Sequence, residues 1–228
     1  MKRIILTAAA AAAVLAGGVA AAAPAMAGTQ ASQSDVSAYF YNPSGHALGG
    51  PQAMGQFGSA HVSFASGYLA KVTEKVNNAN INGATITITG HLDAGTLVTD
   101  QPNGGDSSTP PGAPNARVYF EGSGGGVSDG SPDGYEGQHW WADASSAVVY
   151  LNSPNSPGTA EFTLTIPVNP ANWSDWNGQP ASANAGLFAG AASHVRNIGI
   201  SFGGGYFFEN GVTGTGGLTI DNITVSNS

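Results

Sequence analysis

The chain of 228 residues carries 6 basic and 14 acidic side chains, a formal net charge of −8, and no cysteine. A surface of that sign repels phosphate backbones, so nucleic acid is not an expected partner. An exported form would rest on its core or a metal rather than on disulfides. Charged residues are only 9% of the chain and glycine counts 34, the profile of a surface made polar by hydroxyls and amides and of many tight turns.

At the N-terminus, Lys2 and Arg3 precede an apolar run from Ile4 to Ala23, followed by the small-x-small site Ala25-Met26-Ala27. This is the pattern of a secretory signal peptide, with cleavage expected after Ala27. The run is mostly alanine and ends at a processing site, which argues against a retained membrane anchor, and no later stretch is apolar enough to span a bilayer. Loss of Lys2 and Arg3 leaves Lys71, Lys75, Arg117 and Arg196 as the basic residues and moves the net charge from −8 to −10. The remaining segment, 28–228, is expected to be a single β-domain in the periplasm or outside the cell.

Strand signals follow in short runs. SDVSAYFYN (Ser34–Asn42) is the first, then SAHVSFASG (Ser59–Gly67) and YLAKVTEKV (Tyr68–Val76). GATITITGHL (Gly83–Leu92) is the cleanest, with Ala84, Ile86 and Ile88 on one face and three threonines opposite. A Gly/Pro/Ser-rich loop, Asp100–Ala116, leads to the strand RVYFEGS (Arg117–Ser123), and a second loop covers Gly124–Gly137. Strands are expected at Gln138–Asp143, Ala147–Asn152 and Ala160–Val168, a turn at Asn169–Gln179, and two strands around the glycines of His194–Phe208. No segment reads as a helix. About ten strands at this spacing argue for an antiparallel β-sandwich of the jelly-roll kind.

The closing segment GGLTIDNITVSNS has a break in its pattern. Leu218 and Ile220 alternate in one phase, Ile223 and Val225 in the other, and the flip falls on Asp221-Asn222. Side chains of a strand alternate between faces, so the flip predicts a bulge or burial on both faces.

The ordered set of paired tryptophans (Trp140, Trp141), EFTLTIPV, NPANWSDWNG, VRNIGISFGGG and GLTIDNITV resembles the galactose-binding-like β-sandwich of many carbohydrate-binding modules. The likeness runs from Asn80 to Asn227. It implies a structural calcium that ties the last strand to the first, with Asp221 as one ligand and Asp35, the acid in the first strand region, as the other. The alternative for Asp221 is an Asx-turn to its own backbone.

Aromatic residues are the candidates for binding, because sugar rings lay their C–H faces on flat side chains that cost little entropy to fix. Trp140 and Trp141 are adjacent, so one faces the core and the other faces away. In the look-alike family the first tryptophan of the turn is structural, which assigns Trp173 to packing. The ligand-binding candidates are therefore Trp141, Trp176 and Tyr206.

Catalytic signals are weak. No G-x-S-x-G elbow is present, the five histidines lack zinc-site spacing, and Asp129, Asp133 and Glu136 read as a solvated acidic loop. Glu121, Glu136, Glu161 and Glu209 could supply the two carboxylates of a glycosidase, but no E-x-D-x-x-E pattern is present. The expected function is a secreted, non-catalytic, carbohydrate-binding-like protein with a glycan as partner. A structural envelope protein without sugar binding and a small secreted glycan hydrolase are the alternatives.

Overall fold

The computed structural model describes residues 36–41, 48–93, 97–100, 113–122, 139–151, 161–175, 178–204 and 210–227. The segment read as a signal peptide lies outside them, as do Asp35, Trp176 and Tyr206.

In chain order the strands are β1 (Val36–Tyr41), β2 (Gln52–Gly55), β3 (Ala60–Ser63), β4 (Tyr68–Ala79), β5 (Ala84–Leu92), β6 (Leu97–Asp100) and β7 (Asn115–Gly122). They continue with β8 (His139–Ala142), β9 (Val148–Tyr150), β10 (Glu161–Pro167), the two-residue β11 (Trp173–Ser174), β12 (Val195–Gly203), β13 (Val212–Thr215) and β14 (Gly217–Asn227). Every pairing between them is antiparallel. A large sheet runs β11-β8-β7-β12-β4-β1-β2, with β13 also on β4, β6 on β13, and β9 on β7. A small sheet runs β10-β5-β14-β3.

The sheets share one apolar layer. Strand β5 contributes Ile86 and Ile88, β10 contributes Leu164 and Ile166, and β14 contributes Leu218 and Ile220, all in the same core as Val118, Phe120, Ile198, Ile200 and Phe202 of the large sheet. The alternation expected for Gly83–Leu92 is seen in full, since burial along β5 strictly alternates and its threonines are only half-buried. The all-β antiparallel sandwich is therefore the fold.

The phase flip in the last strand is a bulge. Ile220 pairs with Gly90 and Asn222 with Thr89, so Asp221 is the extra residue. Beyond it, Ile223 comes opposite Ile88 and returns to the core. One inserted residue thus restores the inward parity that strict alternation would have lost. Gly90 completes the fit: a Cβ there would lie 2.3 Å from the Thr219 carbonyl oxygen and 2.7 Å from the Phe162 ring.

One expectation needs correction. The segment after the turn forms a short helix, α1 (Ala185–Ala192), where none is expected from sequence. Eight residues are too few to hold a helix alone, and Phe188 anchors it. Its ring meets Trp140 at 5.1 Å, Phe120 at 5.6 Å and Trp173 at 6.0 Å. Gly122, at the end of β7, lets α1 approach closely, since a Cβ there would be 2.9 Å from the Ala191 backbone. At the chain ends, β14 pairs with β5 and β3, and β1 pairs with β4 and β2 in the other sheet.

Candidate functional site

Alternate residues of the large sheet face away from the core, and in its centre they are polar or aromatic rather than apolar. Register places them in three rows across the strands. His139, Glu121, Asn197 and Lys75 form the first. Trp141, Tyr119, Gly199, Thr73 and Ser37 form the second. Arg117, Ser201, Lys71 and Tyr39 form the third. An open cleft of about 500 Å³ lies on this face, with Tyr39, Ser37 and Pro51 toward the β1–β2 side and Glu121, Arg196 and Asn197 toward β7 and β12. Lys71, Thr73 and Lys75 line it from β4, between those sides.

Glu121 organises one end. Its Oε2 accepts from Tyr119 Oη at 3.0 Å and from Asn197 Nδ2 at 2.9 Å. Its Oε1 accepts from Arg196 Nε at 2.8 Å and also from the Arg196 Nη2, while His139 Nε2 lies 3.8 Å away. Burial alone would push the carboxyl up. His139, Lys71, the Asn197 hydrogen bond and Arg196 outweigh it and hold the group below the ordinary carboxylate range. Lys71 Nζ donates to Tyr119 Oη at 3.3 Å, so one hydrogen-bonded line runs from Lys71 through Tyr119 to Glu121. The same ammonium lies 5.4 Å from the Tyr39 ring centre and 5.3 Å from that of Tyr119, within cation–π range of both.

A second acid on this face is Asp143, which accepts from Ser174 Oγ at 3.0 Å and sits 3.7 Å from Arg117. Burial pushes its carboxyl up, against the pull of Ser174 and Arg117. Asp143 lies four residues beyond His139, the partner of Glu121, and so roughly 13 Å from that carboxylate at ~3.3 Å per residue. Paired carboxylates of a glycosidase stand about 5–9.5 Å apart. Glu161 opens β10 in the small sheet. Asp143 is therefore too far from Glu121 for that pairing.

The sequence candidates fare unevenly. Trp140 is the core member of its pair and Trp141 faces outward, as alternation requires. Trp141 is nonetheless 2% exposed, tilted against Tyr119 at 5.5 Å and stacked on His139 at 6.0 Å, so it backs the site rather than lining the cleft. Trp173 is structural, with Nε1 donating to the Pro167 carbonyl at 3.0 Å. Asp221 points at His91, with Oδ2 3.5 Å from Nδ1, on a half-exposed surface of the small sheet. Among the described residues no group of three or more His, Asp or Glu could hold a metal ion.

Sequence reading missed Tyr39, Lys71, Lys75, Arg196 and Asn197. One signal was available. Strand β4 carries Lys71, Thr73 and Lys75 at alternate positions in a chain with only 6 basic residues, a polar stripe that a buried sheet face would not tolerate without a purpose.

No protein-family model matches the chain, and no curated protein matches it. Among solved structures, the chain matches a xylan-binding module CBM15 at 13% identity and a TM-score of 0.41, over 88% of this chain and 96% of that one.

Proposed function

We propose that the protein is an exported, non-catalytic glycan-binding module whose ligand lies in the cleft on the outer face of the large sheet. The carrying observation is the cleft itself. Its 500 Å³ falls within the size range of small-ligand sites, and the half-buried Tyr39 ring stands among Ser37, Thr73 and Asn197, which offer hydroxyl and amide partners to sugar hydroxyls. A cleft lined by polar side chains and an aromatic ring suits a sugar chain better than an apolar ligand. The N-terminal basic–apolar–small-x-small pattern supports export.

Affinity electrophoresis against a panel of plant and microbial polysaccharides tests this reading. Retardation by at least one glycan is expected, with no release of reducing sugar. Tyr39→Ala should weaken that binding by about tenfold, since a stacked aromatic contributes roughly 1 kcal/mol beyond its buried area. Unaltered retardation by the folded variant would remove the cleft from the function.

A further inference from the structure

All four lysines and arginines beyond Arg3 face outward on one side of one sheet. Lys71 and Lys75 project from β4, Arg117 from β7 and Arg196 from β12, and Lys71, Lys75 and Arg196 line the cleft. The chain as a whole is acidic, with 14 carboxylates. Of these, Asp93, Glu161 and Asp221 belong to the small-sheet side, and Glu74, Glu121 and Asp143 to the large-sheet side.

The cleft lining holds three cations and a single carboxylate, Glu121, for a local charge of +2. Arg196 is committed to Glu121 through two nitrogens. Lys75 is exposed at the cleft, and Lys71 is only 6% exposed on its floor. A lysine so far out of water interacts more strongly with an incoming anion than a surface lysine does. At about 0.1 M salt the screening length is ~10 Å, so a group in the cleft feels the charges of the cleft more than those of the small sheet.

We infer that the ligand is an acidic glycan, whose carboxylate or sulfate sits between Lys71 and Lys75 while a sugar ring lies against Tyr39. This rests on the glycan-binding reading and names its substrate class. Uronate carboxylates and sulfate esters share the chemistry that two lysines recognise, since an ammonium is a point charge without the planar fork that selects one anion geometry.

The test compares matched pairs by isothermal titration. Polygalacturonate, alginate and a glucuronate-bearing xylan are each set against their carboxyl-reduced, neutral counterparts, and a sulfated galactan against its desulfated form. At least one charged member should bind tenfold or more tightly than its neutral partner, and the pair that shows this identifies the anion. Lys75→Gln should reduce that preference several-fold and Lys75→Glu should abolish it. Equal binding of charged and neutral members, with no effect of either Lys75 variant, would overturn the acidic-ligand inference and leave glycan binding standing. No binding in any pair would overturn both.

Discussion

Glu121→Ala should lower the stability of the folded protein by about 3 kcal/mol, the range for removing one partner of a buried charged network. In a domain of this size that is a fall of roughly 6–12 °C in melting temperature. The loss comes from what is left behind. Tyr119 loses its acceptor, Asn197 and Arg196 lose theirs, and Lys71 stays buried without the carboxylate that offsets it. Arg196 is 44% exposed at its side chain and can turn to water, which keeps the cost below that of a fully enclosed pair. Glu121→Gln keeps the shape and one acceptor, so it should cost less.

The same carboxylate sets a pH dependence. Its folded pKa is depressed below the ordinary 4.5. Its contribution is therefore complete above about 4.5 and is lost as pH falls through the lower folded value. Wild type should lose stability across that acid window, and Glu121→Gln should flatten the slope. Asp143 works the other way, because its folded pKa is raised above 3.8. Protonating it favours the folded state, so Asp143→Asn should steepen the acid loss. Denaturant titrations at pH 3 to 6 read both signs.

Gly199→Ala is the second large effect. Gly199 is central in the large sheet, between Thr73 of β4 and Tyr119 of β7. A Cβ there would fall 1.9 Å from the Val72 carbonyl oxygen and 2.8 Å from the Thr73 Cα. Those are backbone atoms of the neighbouring strand, so no side chain can swing aside. Either the β12–β4 pairing opens or the strand shifts, at about 3 kcal/mol or more. Gly199 also lies between Thr73 of the cleft lining and Tyr119, which accepts from Lys71. The variant should therefore lose glycan binding even where it remains folded. Wild-type melting and binding by Gly199→Ala would contradict the described register.

The sandwich was legible because its evidence is local. Alternation in β5 and the parity flip at Asp221 can both be counted along the chain, and the bulge follows from that parity alone. Adjacent tryptophans must also part to opposite faces, although adjacency does not say whether the outward one is covered, and Trp141 is. The helix escaped notice because AGLFAGAA is short, nearly uniform in polarity and held by tertiary contacts, above all those of Phe188. The cleft escaped for a different reason. Tyr39, Lys71, Glu121 and Arg196 come from four strands, and only register brings them together. Register depends on bulges between Tyr39 and Phe40 and between Val195 and Asn197, and no residue type marks either.

The proposed place for a glycan is the outer face of the large sheet. Nuclear magnetic resonance of the labelled protein, titrated with the glycan that retards it most, tests this residue by residue. The account predicts that the largest shift changes fall on Tyr39, Lys71, Thr73, Lys75 and Asn197, with the small sheet unmoved. Changes confined to β3, β5, β10 and β14, or none at saturating glycan, would contradict it.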